Sequence, residues 1–299
     1  MGSTREKWLN ARSNGIGGSE ITAVMGLDPY MTPYALWERK TGRVQDVENK
    51  FTRAGNYLEE AVAQMFSDAT GYDVYTPKTE HWQHKDYPHL LGTPDRFVSL
   101  KKGDAVLEIK TTQKRVTRED VTEGHALRWY FQLMWYMGIT GKNTGFIAWL
   151  CSGVDFDFIQ VDYQPDIFAD MVSAGNDFWI NHVLTDTPPP PISRDDIMKA
   201  IGQVLPDAIE GPEEALAYHA QIKANAAKIK ELETANEELK TAVQLLMGEH
   251  SILTYKGLPL FSWKEQKTRR LSSADLKRED PETWDRYAVE VVTRVFLAK

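Results

Sequence analysis

Two short runs hold the residues best suited to chemistry in this 299-residue chain: Gly92-Thr-Pro-Asp95-Arg-Phe and Ala105-Val-Leu-Glu108-Ile-Lys110. If each run is a strand, side chains two apart share a face. Glu108 and Lys110 then point together, while Ile109 points into the core. Lys101-Lys102-Gly103-Asp104 between the runs is turn chemistry. It folds the strands antiparallel and brings Asp95 opposite the Glu108–Lys110 stretch, within a residue or two of register. Two carboxylates on adjacent strands suit a hard divalent cation with oxygen ligands, and Mg2+ in such a place keeps several waters and takes further ligands from substrate phosphate. A metal-bound water is more acidic and can attack phosphorus. A lysine beside it positions that nucleophile or stabilises the charge developing on phosphate. Each part of phosphodiester hydrolysis therefore has a candidate residue. The same three residues also fit an exposed ion pair on a sheet edge, so the flanking sequence matters.

Upstream, Glu59 follows Gly55-Asn-Tyr-Leu on a helical stretch, where it either completes a metal shell or is solvated. Gln132 and Tyr136 are one helical turn apart and share a face; the plainer alternative is a surface Gln and a core Tyr. Arg12-Ser-Asn-Gly-Ile-Gly-Gly-Ser19 combines a cation, glycines, a hydroxyl and a helix start. That is a natural phosphate site, or an ordinary helix cap. His81, His84 and His89 lie close together, but no cysteine or second histidine motif is near them, which disfavours zinc.

These residues need a scaffold, and the patterning predicts an α+β fold: a central mixed β-sheet flanked by helices. Ser19 reads as the N-cap of a helix through Ile21, Val24 and Met25. Pro33 opens a second helix that Gly42 closes. A third runs from about Ala54 to Thr70, with Leu58, Val62, Met65 and Phe66 on one face and Gly71 as its stop. Strands are expected near Asp73–Pro77, Glu80–Lys85, Leu90–Leu100 and Ala105–Thr111. A helix over roughly Gly124–Ile139 follows, then strands at Asn143–Cys151 and Val154–Asp162, then a helix from Pro165 to about Leu184.

The four prolines of Thr187-Pro-Pro-Pro-Pro-Ile192 cannot continue a helix. They divide the chain into a domain over 1–186, a proline-rich linker with a short helix over 187–212, and an appendage over 213–299. The appendage opens with a proline-free stretch, Glu213–Met247, in which Ile222, Asn225, Ile229, Leu232, Asn236, Leu239, Val243 and Leu246 alternate at spacings of three and four. That is a coiled-coil-like seam; it equally fits a helical arm packed on its own domain. A hairpin follows, Ile252–Tyr255 and Leu258–Lys264 about Lys256-Gly257, then the basic stretch Lys264–Arg270 and a terminal helix.

The net charge of −8 argues against a general nucleic-acid coat but leaves room for a local basic groove. No apolar run approaches the roughly 20 residues of a membrane span, and the N-terminus lacks a signal-peptide core. Cys151 is the single cysteine, so an intramolecular disulfide and any four-cysteine zinc or iron–sulfur site within the chain are excluded. A reducing cytoplasm is the expected location.

Six pieces in order resemble the PD-(D/E)xK nuclease superfamily, and within it the YqaJ-like viral recombinase family, to which phage lambda exonuclease belongs: Trp8-x-x-x-Arg12, Ile16-Gly-Gly-Ser-Glu-Ile21, Gly55-x-x-x-Glu59, Thr93-Pro-Asp95, Glu108-Ile-Lys110 and Gln132-x-x-x-Tyr136. The resemblance covers roughly residues 5–185. It implies a restriction-endonuclease-like fold and a 5′→3′ exonuclease on double-stranded DNA ends, leaving 3′ overhangs. It implies Mg2+, with Mn2+ as substitute, on Asp95, Glu108 and the Ile109 carbonyl, with Lys110 serving the attacking water. Glu59 and Gln132 would support the site, and Arg12 and Ser19, with Tyr136 nearby, would hold a 5′-phosphate. It further implies a single-strand annealing protein as partner, a homo-oligomer such as a ring of three, and a phage or prophage origin in a bacterial cytoplasm. The last hundred or so residues exceed the family's minimal domain and are expected to serve oligomerisation or partner docking. An endonuclease or RecB-like module is the alternative among enzymes, and a DNA-end-binding scaffold the alternative outside them. A Cas4-like enzyme is disfavoured because its cluster needs several cysteines.

Overall fold

Alternation along two neighbouring strands divides the interior into two cores. The structure, a computed structural model, describes residues 15–44, 50–79, 81–201, 208–289 and 296–298. Strands β5 (Arg96–Leu100) and β6 (Gly103–Thr112) pair antiparallel, with Arg96 opposite Leu107 and Leu100 opposite Gly103. On β6, Ala105, Leu107 and Ile109 join one core with Val62, Ala63 and Phe66 of helix α3 (Lys50–Thr70). The intervening Val106 belongs to the other core, with Leu133, Met134 and Met137 of helix α5 (Leu127–Thr140). Glu108 and Lys110 lie on this second face, because side chains alternate along a strand.

The chain divides into two compact units, Met1–Val204 and Leu205–Lys299. In the first, β2 (Asp73–Tyr75), β5, β6, β7 (Thr144–Cys151) and β8 (Asp155–Asp162) form a sheet in that order. Only β6–β7 is parallel, so the sheet is mixed, as expected. A small second sheet has the order β1 (Ile16–Gly17), β4 (Leu90–Gly92), β3 (Trp82–Gln83). The single strand expected over Leu90–Leu100 is therefore two strands in two sheets. The break falls at Thr93-Pro-Asp95, where proline removes a ladder donor.

Helix α1 (Ile21–Val24) is a single turn whose N-cap is Glu20, without a side-chain cap bond. Ser19 is thus not the cap the sequence suggested. Helix α2 (Pro33–Lys40) starts as expected, with the Thr32 hydroxyl accepting from Ala35 N and proline in the first turn. On α3, Val62 and Phe66 are buried, while Leu58 and Met65 are more than a third exposed. The apolar face is narrower than the sequence implied. Helix α4 (Arg118–Thr122) was not expected; Thr117 and Asp120 form its capping box. Helix α6 (Pro165–Phe178) ends in a π-helical turn, Trp179–Val183. Helix α7 (Arg194–Ala200) packs on the first unit: the Thr32 hydroxyl donates to Asp196 at 2.8 Å, and Lys199 pairs with Glu38.

The second unit holds the 34-residue helix α8 (Glu214–Met247) and a hairpin of β9 (Ile252–Tyr255) and β10 (Leu258–Ser262). Lys256 and Gly257 both have positive φ, the backbone of a type I′ turn. The basic stretch 264–270 follows outside any strand and is exposed. Two short helices, α9 (Ser273–Glu279) and α10 (Pro281–Tyr287), come next. Among the described residues no helix is long and apolar enough to cross a membrane.

Candidate active site

The β5–β6 hairpin delivers the acidic pair. Asp95 immediately precedes β5, so the ladder places it across from the Glu108 region of β6. Its Oδ2 accepts from Ile109 N at 2.8 Å, which fixes the carboxylate against the middle of β6. Glu108 is 1% exposed. Its two carboxylate oxygens are buried without an aligned hydrogen bond, although the Lys110 ammonium lies 2.6 Å from Oε1 as an ion pair. The Pro-Asp and Glu-x-Lys pieces read from the sequence thus lie side by side.

Burial and the neighbouring Glu108 charge push the Asp95 carboxyl well above its ordinary value; Lys110 and the Ile109 N–H only partly counter this. Asp95 is half-buried and lines the cleft. Burial likewise raises Glu108, with Lys110 opposing. Two desolvated carboxylates side by side are stabilised by a cation between them, and oxygen donors suit Mg2+ or Mn2+. Among the described residues no three Asp, Glu, His or Cys side chains converge into a metal cage. Two carboxylates in the wall of a cleft are a donor set for an ion that keeps several of its waters.

Helix α5 positions the lysine. Lys110 Nζ donates to Gln132 Oε1 at 2.9 Å, and Gln132 Nε2 donates to Tyr136 Oη at 3.2 Å. Helix α3 brings Glu59 to the same cleft, where it pairs with Arg96. Arg96 also donates to the Asp95 carbonyl at 2.7 Å and to Glu60 at 3.1 Å. Arg96 was overlooked in the sequence; its one signal was adjacency to Asp95. Glu59 is thus balanced by an arginine rather than facing the acidic pair alone.

Ser19 lies at the cleft wall beside Gly17 and Gly18. Gly18 is needed there because a Cβ would stand 2.6 Å from Tyr136 Cε1 and 2.9 Å from Trp135 Cδ1. The cleft, about 480 Å³, is lined by Ser19, Glu59, Asp95, Glu108, Lys110, Gln132 and Tyr136 among others. A neighbouring cavity of about 230 Å³ shares Ser19, Lys110 and Gln132 and adds Arg128, which the sequence reading passed over. His81 also lines the cleft, whereas His84 stacks on Tyr87 and His89 on Trp179. Arg12 and Trp8 lie outside the described residues.

Residues 7–143 match the YqaJ-like viral recombinase domain. The chain is 26% identical to the uncharacterized protein YqaJ of Bacillus subtilis (strain 168) over 314 residues, covering 99% of this chain and 94% of that protein. The alkaline exonuclease LHK-Exo from Laribacter hongkongensis superposes with a TM-score of 0.47 at 16% identity, covering 61% of this chain and 94% of that one. A phage-related exonuclease from Haemophilus somnus 129PT gives a TM-score of 0.44 at 15% identity, covering 57% and 96%. The match to the YqaJ-like viral recombinase domain spans the stretch that carries Ser19, Glu59, Asp95, Glu108, Lys110 and Gln132.

Proposed function

We propose that this protein is a divalent-metal-dependent DNA exonuclease that degrades one strand of a duplex end 5′→3′ and leaves 3′ overhangs for recombination by strand annealing. The observation that carries the reading is the buried Glu108 beside Asp95, with Glu108 oxygens that lack aligned hydrogen bonds and Lys110 held beside it by Gln132.

Asp95, Glu108 and the Ile109 carbonyl would hold Mg2+, with Mn2+ able to substitute. Such an ion polarises phosphate oxygen and makes a bound water more acidic. Lys110 orients the attacking oxygen and offsets the negative charge that develops on phosphate. Gln132 keeps the lysine pointed into the cleft. Arg96 holds Glu59 and the Asp95 backbone in place. Ser19, on the Gly17-Gly18 segment, and Arg12 are assigned to the 5′-phosphate, and Tyr136, packed against Gly18, lines the same cleft as Ser19. An annealing protein as partner, and a bacterial cytoplasm as the place of action, belong to the same reading and are what the family resemblance implies.

The test compares linear 5′-phosphorylated duplex, linear 5′-hydroxyl duplex and closed circular DNA, each with Mg2+ and with chelator. Digestion of the linear substrates, fastest with a 5′-phosphate and abolished by chelator, is expected. Digestion of circles indicates an endonuclease, and binding without digestion a scaffold; either overturns the proposal.

A further inference from the structure

Helix α8 runs unbroken for 34 residues. A helix gains most of its stability in water by burying an apolar face. Yet Ile222, Ile229, Leu232, Leu239 and Leu246 are between 41% and 75% exposed. Within the second unit nothing covers this face among the described residues.

The seam reads in heptads. Ile222, Ile229, Asn236 and Val243 take the a positions; Asn225, Leu232, Leu239 and Leu246 take d. Branched Ile and Val at a with Leu at d favour two parallel strands, whereas Ile at both positions, or Leu at a with Ile at d, favours three or four. A single Asn among the a positions fixes register and strand number. Asn225, bonded to Gln221 within its own helix, adds a polar site near one end.

The flanks agree. Lys228 occupies g and Glu233 the following e, the two positions that face each other between parallel, in-register helices. Two copies therefore make this ion pair twice, near the middle of the seam. Ala226, Ala235 and Ala242 fill other e and g positions, and their small side chains let two backbones approach. Lys240 occupies the next e position and pairs with Glu237 of its own helix, while Lys223, Lys230, Glu231, Glu237 and Glu238 fall on the outer positions.

We propose that α8 forms a parallel, in-register two-stranded coiled coil with α8 of a second copy of this chain. This differs from the ring of three that the family resemblance implies, and it does not depend on the nuclease reading. Pairing would place two first units in one assembly and raise their effective concentration on a shared DNA.

The test uses the full chain. Oxidised Ile222→Cys is expected to give a disulfide-linked dimer, because a and a′ adjoin in a parallel coil; an antiparallel pair would separate these residues by about 36 Å along the seam. Ala227→Cys, on the outer face, serves as the control, and the native Cys151 is 3% exposed. Leu232→Lys with Leu239→Lys is expected to halve the mass measured by light scattering without lowering nuclease-unit melting. Glu233→Lys is expected to weaken association, and adding Lys228→Glu to restore it. No more cross-linking at 222 than at 227 would overturn the proposal. So would an unchanged mass, or a fall to one third, in the double-lysine variant.

Discussion

Lys110 Nζ donates to Gln132 Oε1 at 2.9 Å, tying the strand that carries Glu108 to a helix residue 22 positions further along the chain. The bond gives the ammonium a fixed direction and leaves its other protons for Glu108 and the cleft. A lysine has a flexible four-carbon stem, so without this anchor its charge would sample many positions.

Gln132→Ala is expected to lower the single-turnover rate by about 10²-fold, the scale of a misplacement near 1 Å, while DNA affinity stays within a few-fold. Lys110→Ala should cost about 10²–10⁴-fold, as loss of a positioned proton-handling or charge-stabilising group does. The double variant should be no slower than Lys110→Ala, because both act through one ammonium. Rapid-quench measurements with saturating enzyme decide this; independent, multiplying losses would remove Gln132 from that role.

Asp95→Asn is expected to stabilise the protein in chelator and to abolish cleavage. Asn keeps an oxygen for Ile109 N but removes a charge crowded by Glu108. A gain of about 2–4 °C in Tm corresponds to ~1 kcal/mol in a unit of this size. Mg2+ should raise the Tm of the wild type and leave the variant unmoved. Thermal melts with and without Mg2+ check both signs, and a variant less stable than wild type in chelator contradicts the crowding argument.

Gly18→Ala is expected to disturb the segment that carries Ser19. The new methyl would stand 2.6 Å from Tyr136 and 2.9 Å from Trp135, whose indole is anchored by donation to the Leu91 carbonyl at 2.7 Å. Overpacking of this kind costs roughly 1–3 kcal/mol. Cleavage of 5′-phosphorylated ends should fall further than cleavage of 5′-hydroxyl ends. Initial rates on the two substrates provide the comparison, and equal losses would detach the Gly17–Ser19 segment from the phosphate.

Asp196 gives a pH dependence away from the catalytic cleft. Burial alone would raise its carboxyl, but bonds from the Thr32 hydroxyl and from the backbone N–H groups of Ile192 and Ser193 outweigh this and hold it below its ordinary value. A depressed folded value means that the charged form stabilises the fold above the unfolded pKa, about 3.9, and that this contribution is lost as pH falls through the folded value. Asp196→Asn should therefore cost stability at pH 7, on the scale of about 1–3 kcal/mol for hydrogen bonds to a charged group. The gap should close in strong acid. Urea titrations across pH settle it, and a gap independent of pH would contradict the assignment.

What the sequence by itself determined was local. The two-residue period of a strand put Glu108 and Lys110 on one face and Ile109 on the other. The tight turn at Lys101–Asp104 set Asp95 against them. Pro33 marked a helix start because its ring fixes φ and needs no donor there, Gly42 and Gly71 marked helix ends because glycine takes positive φ without a steric cost, and the heptad spacing indicated α8. The capping box of α4 was legible in the same way at Thr117 and Asp120 and was overlooked because the helix is so short.

Tertiary structure alone decided the rest. Ser19 looked like a cap, but the one-turn helix begins after it and the residue lines the cleft instead. Arg96 reaches Glu59 across 37 residues, Lys110 reaches Gln132 across 22, and Thr32 reaches Asp196 across 164. Contacts of that range depend on how helices cross the sheet and how deeply side chains interlock. Periodicity records which face of an element is buried, but not which other element covers it.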